Sequence, residues 1–214
     1  MSNTLDIKIK DLLRDEVLKA VFDIVGKTPS IFNKQFIEAT NIKKVVALYI
    51  LKNPWVGELK VKVIPNFPNA LYNTNTQSFI LGIFNSSVIA HEMEHAINTR
   101  NAGAYTALLG ISKLLSTLTA KAAIPLTMAG SIGQMMSTDK EKILGNKLLD
   151  TLSITHGLAS LPILWEEGKA NLFAALNSPE KIKALQSLLP AYATYVGKTA
   201  LPIGMYQGYK KTWS

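Results

Sequence analysis

Cysteine is absent from this chain of 214 residues. Its absence excludes disulfide bonds, iron–sulfur clusters, thiolate zinc sites and cysteine nucleophiles together. Proteins without cysteine occur both in the cytosol and in the cell envelope, so this feature does not assign a compartment.

Charged residues are also scarce. They make up 18% of the chain, whereas hydrophobic residues make up 48%, and a typical soluble domain has about 25% charged residues. This composition predicts extensive burial or contact with lipid. The net charge of +8 would suit anionic lipid or nucleic acid. However, the basic residues are scattered, with no run of five and no interleaved aromatic residues, so we do not expect nucleic-acid binding.

Long uncharged hydrophobic runs are missing as well. The most apolar region, Ala104–Met136, is interrupted by Lys113 and Lys121, and its longest uncharged stretch, Ala122–Thr138, has 17 residues. A transmembrane helix needs about 20 predominantly apolar residues. This region is therefore expected to form either buried core helices or a membrane-embedded or interfacial hairpin. The first residues contain no apolar stretch after a basic start, so no cleavable signal peptide is expected. The expected location is membrane-associated or cytoplasmic.

The remaining pattern is mostly helical. Apolar residues recur every four positions in Leu5–Val25, which predicts an amphipathic helix, and a second helix is predicted for about Ile31–Leu51. Gly57–Ile64 alternates like a half-buried strand, and Ser78–Phe84 is a second, more apolar strand after a loop rich in turn-forming residues. We therefore expect a mainly α protein with a small β-sheet, in the α+β class.

The sequence "SSVIAHEMEHAINTR" contains two of the three histidines. His91 and His95 are four residues apart, so on a helix they project from one face and can bind one ion. Glu92 projects about 100° further round. Zinc lowers the pKa of a water that it binds to about 7, and a neighbouring carboxylate can take the proton. The alternative is a surface helix with two solvated histidines. Ser86 or Ser87 is predicted to cap this helix.

A catalytic zinc site has a third protein ligand. One candidate is His156, although a lone histidine usually has a structural role. The other is the pair Glu166 and Glu167 in "WEEGKA", which could instead be acidic residues in the first turn of a helix. The residues alone do not distinguish these possibilities.

"HEMEH" followed by "EGKANLFA" resembles the gluzincins, which are HExxH metallopeptidases whose third ligand is a glutamate on a later helix. "EGKANLFA" is similar to the E-x-x-A-D-x-x-A pattern of HtpX-like and CAAX-prenyl-protease-like membrane gluzincins. Overall, the chain is most similar to the bacterial neutral zinc metallopeptidase (YugP-like membrane protease) family, over about Glu58–Leu201. It departs from these patterns at Met93 and Glu94, where the family has Val-Gly, and at Asn171, where the HtpX-like group has Asp.

The resemblance implies a site with one Zn²⁺ per chain, bound by His91, His95 and Glu167, with Glu92 as general base. It implies a peptide or protein substrate. The candidates for supporting the ligands or stabilising the oxyanion are His156, Glu166, Asn171, Tyr192 and Tyr195. The residues expected to pair with an extended substrate, as an edge strand does, are Ser78, Phe79, Ile80, Leu81 and Gly82.

The implied architecture is a single zincin-like domain over 1–214. Its parts are N-terminal helices (1–53), a small sheet (57–84), the HExxH helix (86–100), an apolar helical hairpin (104–138), the third-ligand helix (159–177), and a C-terminal helix and tail (179–214).

The expected function is a zinc endopeptidase at or near a membrane. The alternative is a non-proteolytic protein that keeps the zincin scaffold, with a structural or assembly role, either membrane-associated or part of a larger complex. The sequence gives no indication of oligomeric state.

Overall fold

The computed structural model describes residues 4–25, 32–65, 67, 70–100, 103–134 and 139–213. For 32–37, 129–134, 139–144 and 210–213 it describes the backbone only. The chain divides into two compact units. The first comprises Met1–Ala102 and Lys169–Pro190, and the second comprises Gly103–Gly168 and Ala191–Ser214.

Helices form most of the described chain, and the α+β prediction is confirmed. The helices are α1 (Asp15–Val25), α2 (Phe32–Lys52), α3 (Ser86–Arg100), α4 (Gly103–Gln134), α5 (Asp139–Asn177) and α6 (Lys181–Trp213). The strands are β1 (Leu5–Lys8), β2 (Lys60–Val63), β3 (Ala70–Asn73) and β4 (Ser78–Leu81), and two 3₁₀ turns cover Ile9–Leu13 and Pro54–Glu58.

The four strands form one mixed sheet in the order β1-β2-β4-β3. β2 pairs antiparallel with β1 and parallel with β4, and β3 pairs antiparallel with β4. In β2, Val61 and Val63 are buried whereas Lys60 and Lys62 are exposed. This alternation confirms the half-buried strand that the sequence predicts in this region, because one face of the sheet packs on the core of the first unit.

The predicted helix Leu5–Val25 is wrong over its first ten residues, because β1 and a 3₁₀ turn precede α1. Residues 5–8 alternate in hydrophobicity at a period of two, which suits the pairing with β2. The strand ends where the backbone N–H of Lys8 donates to the Asp11 side chain at 2.8 Å. β3 lies within the predicted loop, and the pairing with β4 gives it an extended conformation that its local sequence does not show.

The predicted hairpin over 104–138 is instead one helix, α4, over residues 103–134, with Pro125 inside it. The last four residues of that range lie outside the described part of the chain. The predicted third-ligand helix, 159–177, is the C-terminal part of the 39-residue helix α5.

The core of the first unit packs α1, α2 and α3 against the sheet and the end of α5. Its fully buried side chains include Leu18, Val45, Val46, Tyr49, Val61, Phe79, Met93 and Ala174. More than half of α3 is buried, including two carboxylates, Glu92 and Glu94. The HExxH helix is therefore a core element and not a surface helix with solvated histidines.

The second unit buries polar as well as apolar side chains. The buried polar residues include Ser112, Thr119, Ser153, His156 and Ser160, and the buried apolar ones include Leu109, Ala123, Leu149, Ala159 and Tyr206. Its exposed large apolar side chains include Leu108, Ile111, Leu114, Leu118, Ile124, Met128, Leu148, Ile154, Leu158, Leu161, Trp165, Val196 and Leu201. By length and composition, one helix of the described chain, Gly103–Met128, could cross a membrane, and 22% of its apolar window is buried.

The expectation that Ser78–Gly82 forms an edge for substrate is wrong, because β4 lies inside the sheet between β2 and β3. Both of its hydrogen-bonding edges are occupied. Gly82 allows the close approach of Phe67 and not of a substrate. A Cβ on Gly82 would overlap the backbone carbonyl of Phe67. The glycine is therefore required by the packing of the loop that precedes β3.

We expect Gly82→Ala to lower the free energy of unfolding by about 2 kcal/mol, because backbone atoms must move to accommodate the new methyl group. Gly57→Ala is the matched control in the same unit, since its Cβ would meet the movable end of Ile50 at 3.3 Å. Chemical denaturation of both variants measures the difference. Equal stabilities of the two variants would contradict this explanation of Gly82.

Candidate metal centre

The start of α3 is fixed by two polar contacts. The Asn85 side chain accepts a hydrogen bond from the Val88 backbone N–H at 2.9 Å, and Glu38 of α2 accepts one from the Ser86 backbone N–H. Asn85 is thus the N-cap, and the predicted capping by Ser86 or Ser87 is wrong. Asparagine caps as well as serine does, so composition could not distinguish between neighbouring residues.

His91 and His95 project together from α3, as their spacing predicts. Their Nε2 atoms are 3.0 Å apart, and their rings meet edge to face with centroids at 4.5 Å. Both side chains are half-buried. In a tetrahedral zinc site with bonds of about 2.1 Å, neighbouring ligand atoms are about 3.4 Å apart. The two imidazoles are therefore close to the separation that one shared ion requires.

Glu167 completes a group that could hold a metal ion. One ligand atom from each of His91, His95 and Glu167 lies within 4.8 Å of the other two, and Glu167 is buried. Among the described residues this is the one such group of three. Two imidazoles and a carboxylate form a donor set that catalytic zinc sites use, so the residues fit the ion. The boundary between the two units follows Gly168, one residue after Glu167 within the continuous helix α5.

The adjacent carboxylate Glu166 has a different partner. The Tyr105 hydroxyl donates to its Oε2 at 2.8 Å, and both residues belong to the second unit. Glu166 and Glu167 lie deep within α5 and are both buried. They are therefore not acidic residues in the first turn of a helix, which was the alternative explanation from the sequence.

Glu94 has partners that the sequence did not reveal. The Tyr49 hydroxyl donates to its Oε1 at 2.5 Å, and the Asn177 side-chain amide donates to the same atom at 3.1 Å. Burial and the bond to Glu94 raise the pKa of Tyr49 far above its ordinary value. In the sequence, the only indication of these contacts was a charged residue, Glu94, in the middle of a predicted helix. The structure shows that this residue is buried.

His156 is not one of the three grouped residues. It lies in the middle of α5, 2% exposed, where its Nδ1 is 2.7 Å from Thr119 Oγ1 and its Nε2 is 3.3 Å from the backbone oxygen of Lys198. Thr119 also receives a hydrogen bond on its backbone oxygen from the Tyr206 hydroxyl, at 2.7 Å. His156 therefore belongs to a buried polar network of the second unit.

The other predicted site residues are placed as follows. Tyr192 is half-buried with its ring against Gly168, where a Cβ would lie 3.4 Å from the hydroxyl. The Tyr195 ring faces Lys198 Nζ at 5.4 Å. Asn171 is buried one helical turn after Glu167, and among the described residues its Oδ1 has no hydrogen-bond partner. Their proposed roles stay predictions.

Comparisons of the chain with protein-family models, with curated proteins and with solved structures found no match. The resemblance to membrane gluzincins thus stays a prediction from the motif residues themselves.

We expect the wild-type protein to bind one zinc ion per chain, and Glu167→Ala to bind it at least tenfold more weakly, because a ligand is lost. Glu166→Ala is the matched control. It removes a neighbouring buried carboxylate that bonds to Tyr105 and should retain zinc. Metal analysis and competition with a chromophoric chelator measure both. Equal zinc loss in the two variants would contradict the assignment of Glu167.

Proposed function

We propose that the protein is a zinc-dependent endopeptidase of the gluzincin type. The observation that carries the proposal is the grouping of His91, His95 and Glu167, together with the buried carboxylate Glu92, which follows His91 in the same helix. This combination supplies both parts of a hydrolytic site, three ligands that leave a coordination position open and a carboxylate for proton transfer.

Each of the four residues has one role in this proposal. His91 and His95 bind through their Nε2 atoms, which already face each other, and Glu167 supplies a carboxylate oxygen. Zinc, when bound, supplies a Lewis acid that makes water nucleophilic near neutral pH. Glu92 takes a proton from the attacking water and passes it to the amine that leaves when the peptide bond breaks.

An extended substrate would need a free sheet edge near α3. β4 cannot provide it, whereas β3 lies at the end of the sheet order and packs against α3. Substrate backbone could add to β3 as a further strand, with hydrogen bonds between main chains providing affinity. In this proposal β3 takes the role that the sequence suggested for β4.

We further propose that the second unit resides in a membrane. The support is the large number of exposed leucine, isoleucine and methionine side chains on this unit, whereas serine, threonine and histidine are among its buried residues. Water disfavours such a surface, whereas lipid accommodates it, and small or polar side chains commonly pack between membrane helices. The Gly103–Met128 segment is long enough to span a bilayer by length and composition.

Glu92→Gln should abolish cleavage of casein, with activity at least a hundredfold below wild type, because an amide cannot take the proton. Zinc content should stay at one per chain, since Glu92 is not among the grouped ligands. Glu58→Gln is the control, as it changes an exposed carboxylate that bonds to Lys8 and Lys10.

Cleavage by Glu92→Gln at the wild-type rate would refute the proposed role. A wild-type protein that binds zinc but cleaves neither casein nor any member of a peptide library would instead support the non-proteolytic scaffold alternative. Digestion followed by gel electrophoresis and mass spectrometry distinguishes these outcomes.

Wild-type protein should float with phospholipid vesicles that contain anionic lipid. The double variant Leu114→Asp, Leu118→Asp should stay in the aqueous fraction, because each aspartate costs about 3 kcal/mol at the centre of a bilayer. Both leucines are more than half exposed, so the change leaves internal packing intact. The control Leu51→Asp alters an 81% exposed leucine of the first unit and should float like wild type. Equal flotation of all three would contradict a membrane location for α4.

A further inference from the structure

A buried carboxylate stands in α3 between the two zinc-motif histidines and on the other side from Glu92. Glu94 precedes His95 directly, and its side chain is 6% exposed within the apolar core of the first unit. On a helix, Glu92 and Glu94 project about 160° apart. The second carboxylate is therefore turned away from the direction in which Glu92 points, and its partners show what it does.

Those partners come from two other helices. Glu94 Oε1 accepts from the Tyr49 hydroxyl of α2 at 2.5 Å and from the Asn177 amide of α5 at 3.1 Å. The Asn177 amide also contacts the Tyr49 hydroxyl at 3.2 Å, which closes a triangle of polar groups. All three residues belong to the first unit. A single carboxylate oxygen thus joins α2, α3 and the last residue of α5.

We propose that Glu94, Tyr49 and Asn177 form a positioning network that holds α5, and with it Glu167, in register with the helix that carries the histidines. This inference rests on the metal centre proposed above. Glu167 lies ten residues before Asn177 on the same helix, a rise of about 15 Å. Any slide or rotation of α5 relative to α3 would displace the third ligand while the two histidines stayed in place.

A second polar link supports this role. The Lys169 ammonium donates to the Asn98 side-chain oxygen at 2.8 Å, also between α5 and α3. Between Lys169 and Asn177, the residues Ala170 and Ala174 are completely buried. Alanine side chains give a smooth helix surface with few interlocking shapes, so apolar packing alone specifies the register poorly. Directional hydrogen bonds at both ends of this segment supply the missing specificity.

Stability alone does not explain a carboxylate at this position. Replacing buried ionic groups by apolar ones of similar volume is often neutral or stabilising, whereas buried polar networks can specify one arrangement of helices. Tyr49 and Asn177 occupy Glu94 Oε1 from the packed side of the helix. In this proposal Glu94 is a positioning residue.

The test compares zinc affinity with stability. Asn177→Leu removes the link to α5 at a half-buried position, so the protein should fold. Glu94→Gln is the conservative variant, because its side-chain oxygen can still accept both hydrogen bonds. Lys52→Met is the matched control, since it removes only the 2.9 Å bond from Lys52 to the Asn177 oxygen. Val46→Ala trims a buried side chain of α2 outside the network and controls for general destabilisation.

Zinc affinity is measured by competition with a chromophoric chelator, coordination geometry by the visible spectrum of the cobalt-substituted protein, and stability by thermal unfolding without metal. We expect Asn177→Leu to bind zinc about tenfold more weakly than wild type and to give an altered cobalt spectrum. Glu94→Gln, Lys52→Met and Val46→Ala should stay within about twofold of wild type, even where Val46→Ala unfolds at a lower temperature.

The outcomes separate this inference from the proposed function. If wild type binds zinc and Asn177→Leu binds it equally well, the positioning role is overturned and the proposed metal centre stands. Weakening by Val46→Ala as large as that by Asn177→Leu would also overturn it, because the effect would follow stability. If wild type binds no stoichiometric zinc, the metal centre and the positioning role fail together.

Discussion

The burial of α3 is the constraint on which the first unit depends. A helix that carries two histidines and two carboxylates would ordinarily lie at a surface, yet Glu92 and Glu94 are both buried in it. Burying a carboxylate is costly unless hydrogen bonds satisfy it. Tyr49 of α2 and Asn177 of α5 satisfy Glu94 in this way, since both donate hydrogen bonds to its Oε1 atom. The contacts among these three helices therefore include polar groups of α3 as well as its apolar residues.

Helix geometry accounts for the different contacts of the neighbouring glutamates on α5. Successive residues on a helix project about 100° apart, so Glu166 and Glu167 point in different directions. Glu166 receives the hydroxyl of Tyr105, while Glu167 joins the two histidines. The sequence left Glu166, Glu167 and His156 open as third ligands on chemistry alone. The geometry groups only Glu167 with the histidines among the described residues.

Sequence patterns predicted the parts of the fold that depend on local periodicity. The spacing of His91 and His95 correctly indicated one helix face, and the alternation around Val61 and Val63 correctly indicated a strand. The order of strands was not predictable, because β2 pairs directly with β4 although β3 lies between them in the sequence. The bond from Tyr49 to Glu94 spans 45 residues, and no local pattern encodes it. The predicted N-terminal helix failed because the alternation in Leu5–Lys8 covers only four residues, and its pairing partner β2 lies far along the chain.

The low charge content of the chain corresponds to the many exposed apolar side chains of the second unit. Its interior places His156 against Thr119, and Thr119 against Tyr206, whereas its outer surface is rich in leucine. A water-soluble bundle would bury the leucines and expose the hydroxyl groups, because hydrophobic burial drives its folding. In lipid that driving force between helices is absent, and buried hydrogen bonds contribute to association instead. The exposed apolar side chains of the second unit are therefore consistent with the lipid environment proposed above, and one helix among the described residues, Gly103–Met128, is long and apolar enough to cross a membrane.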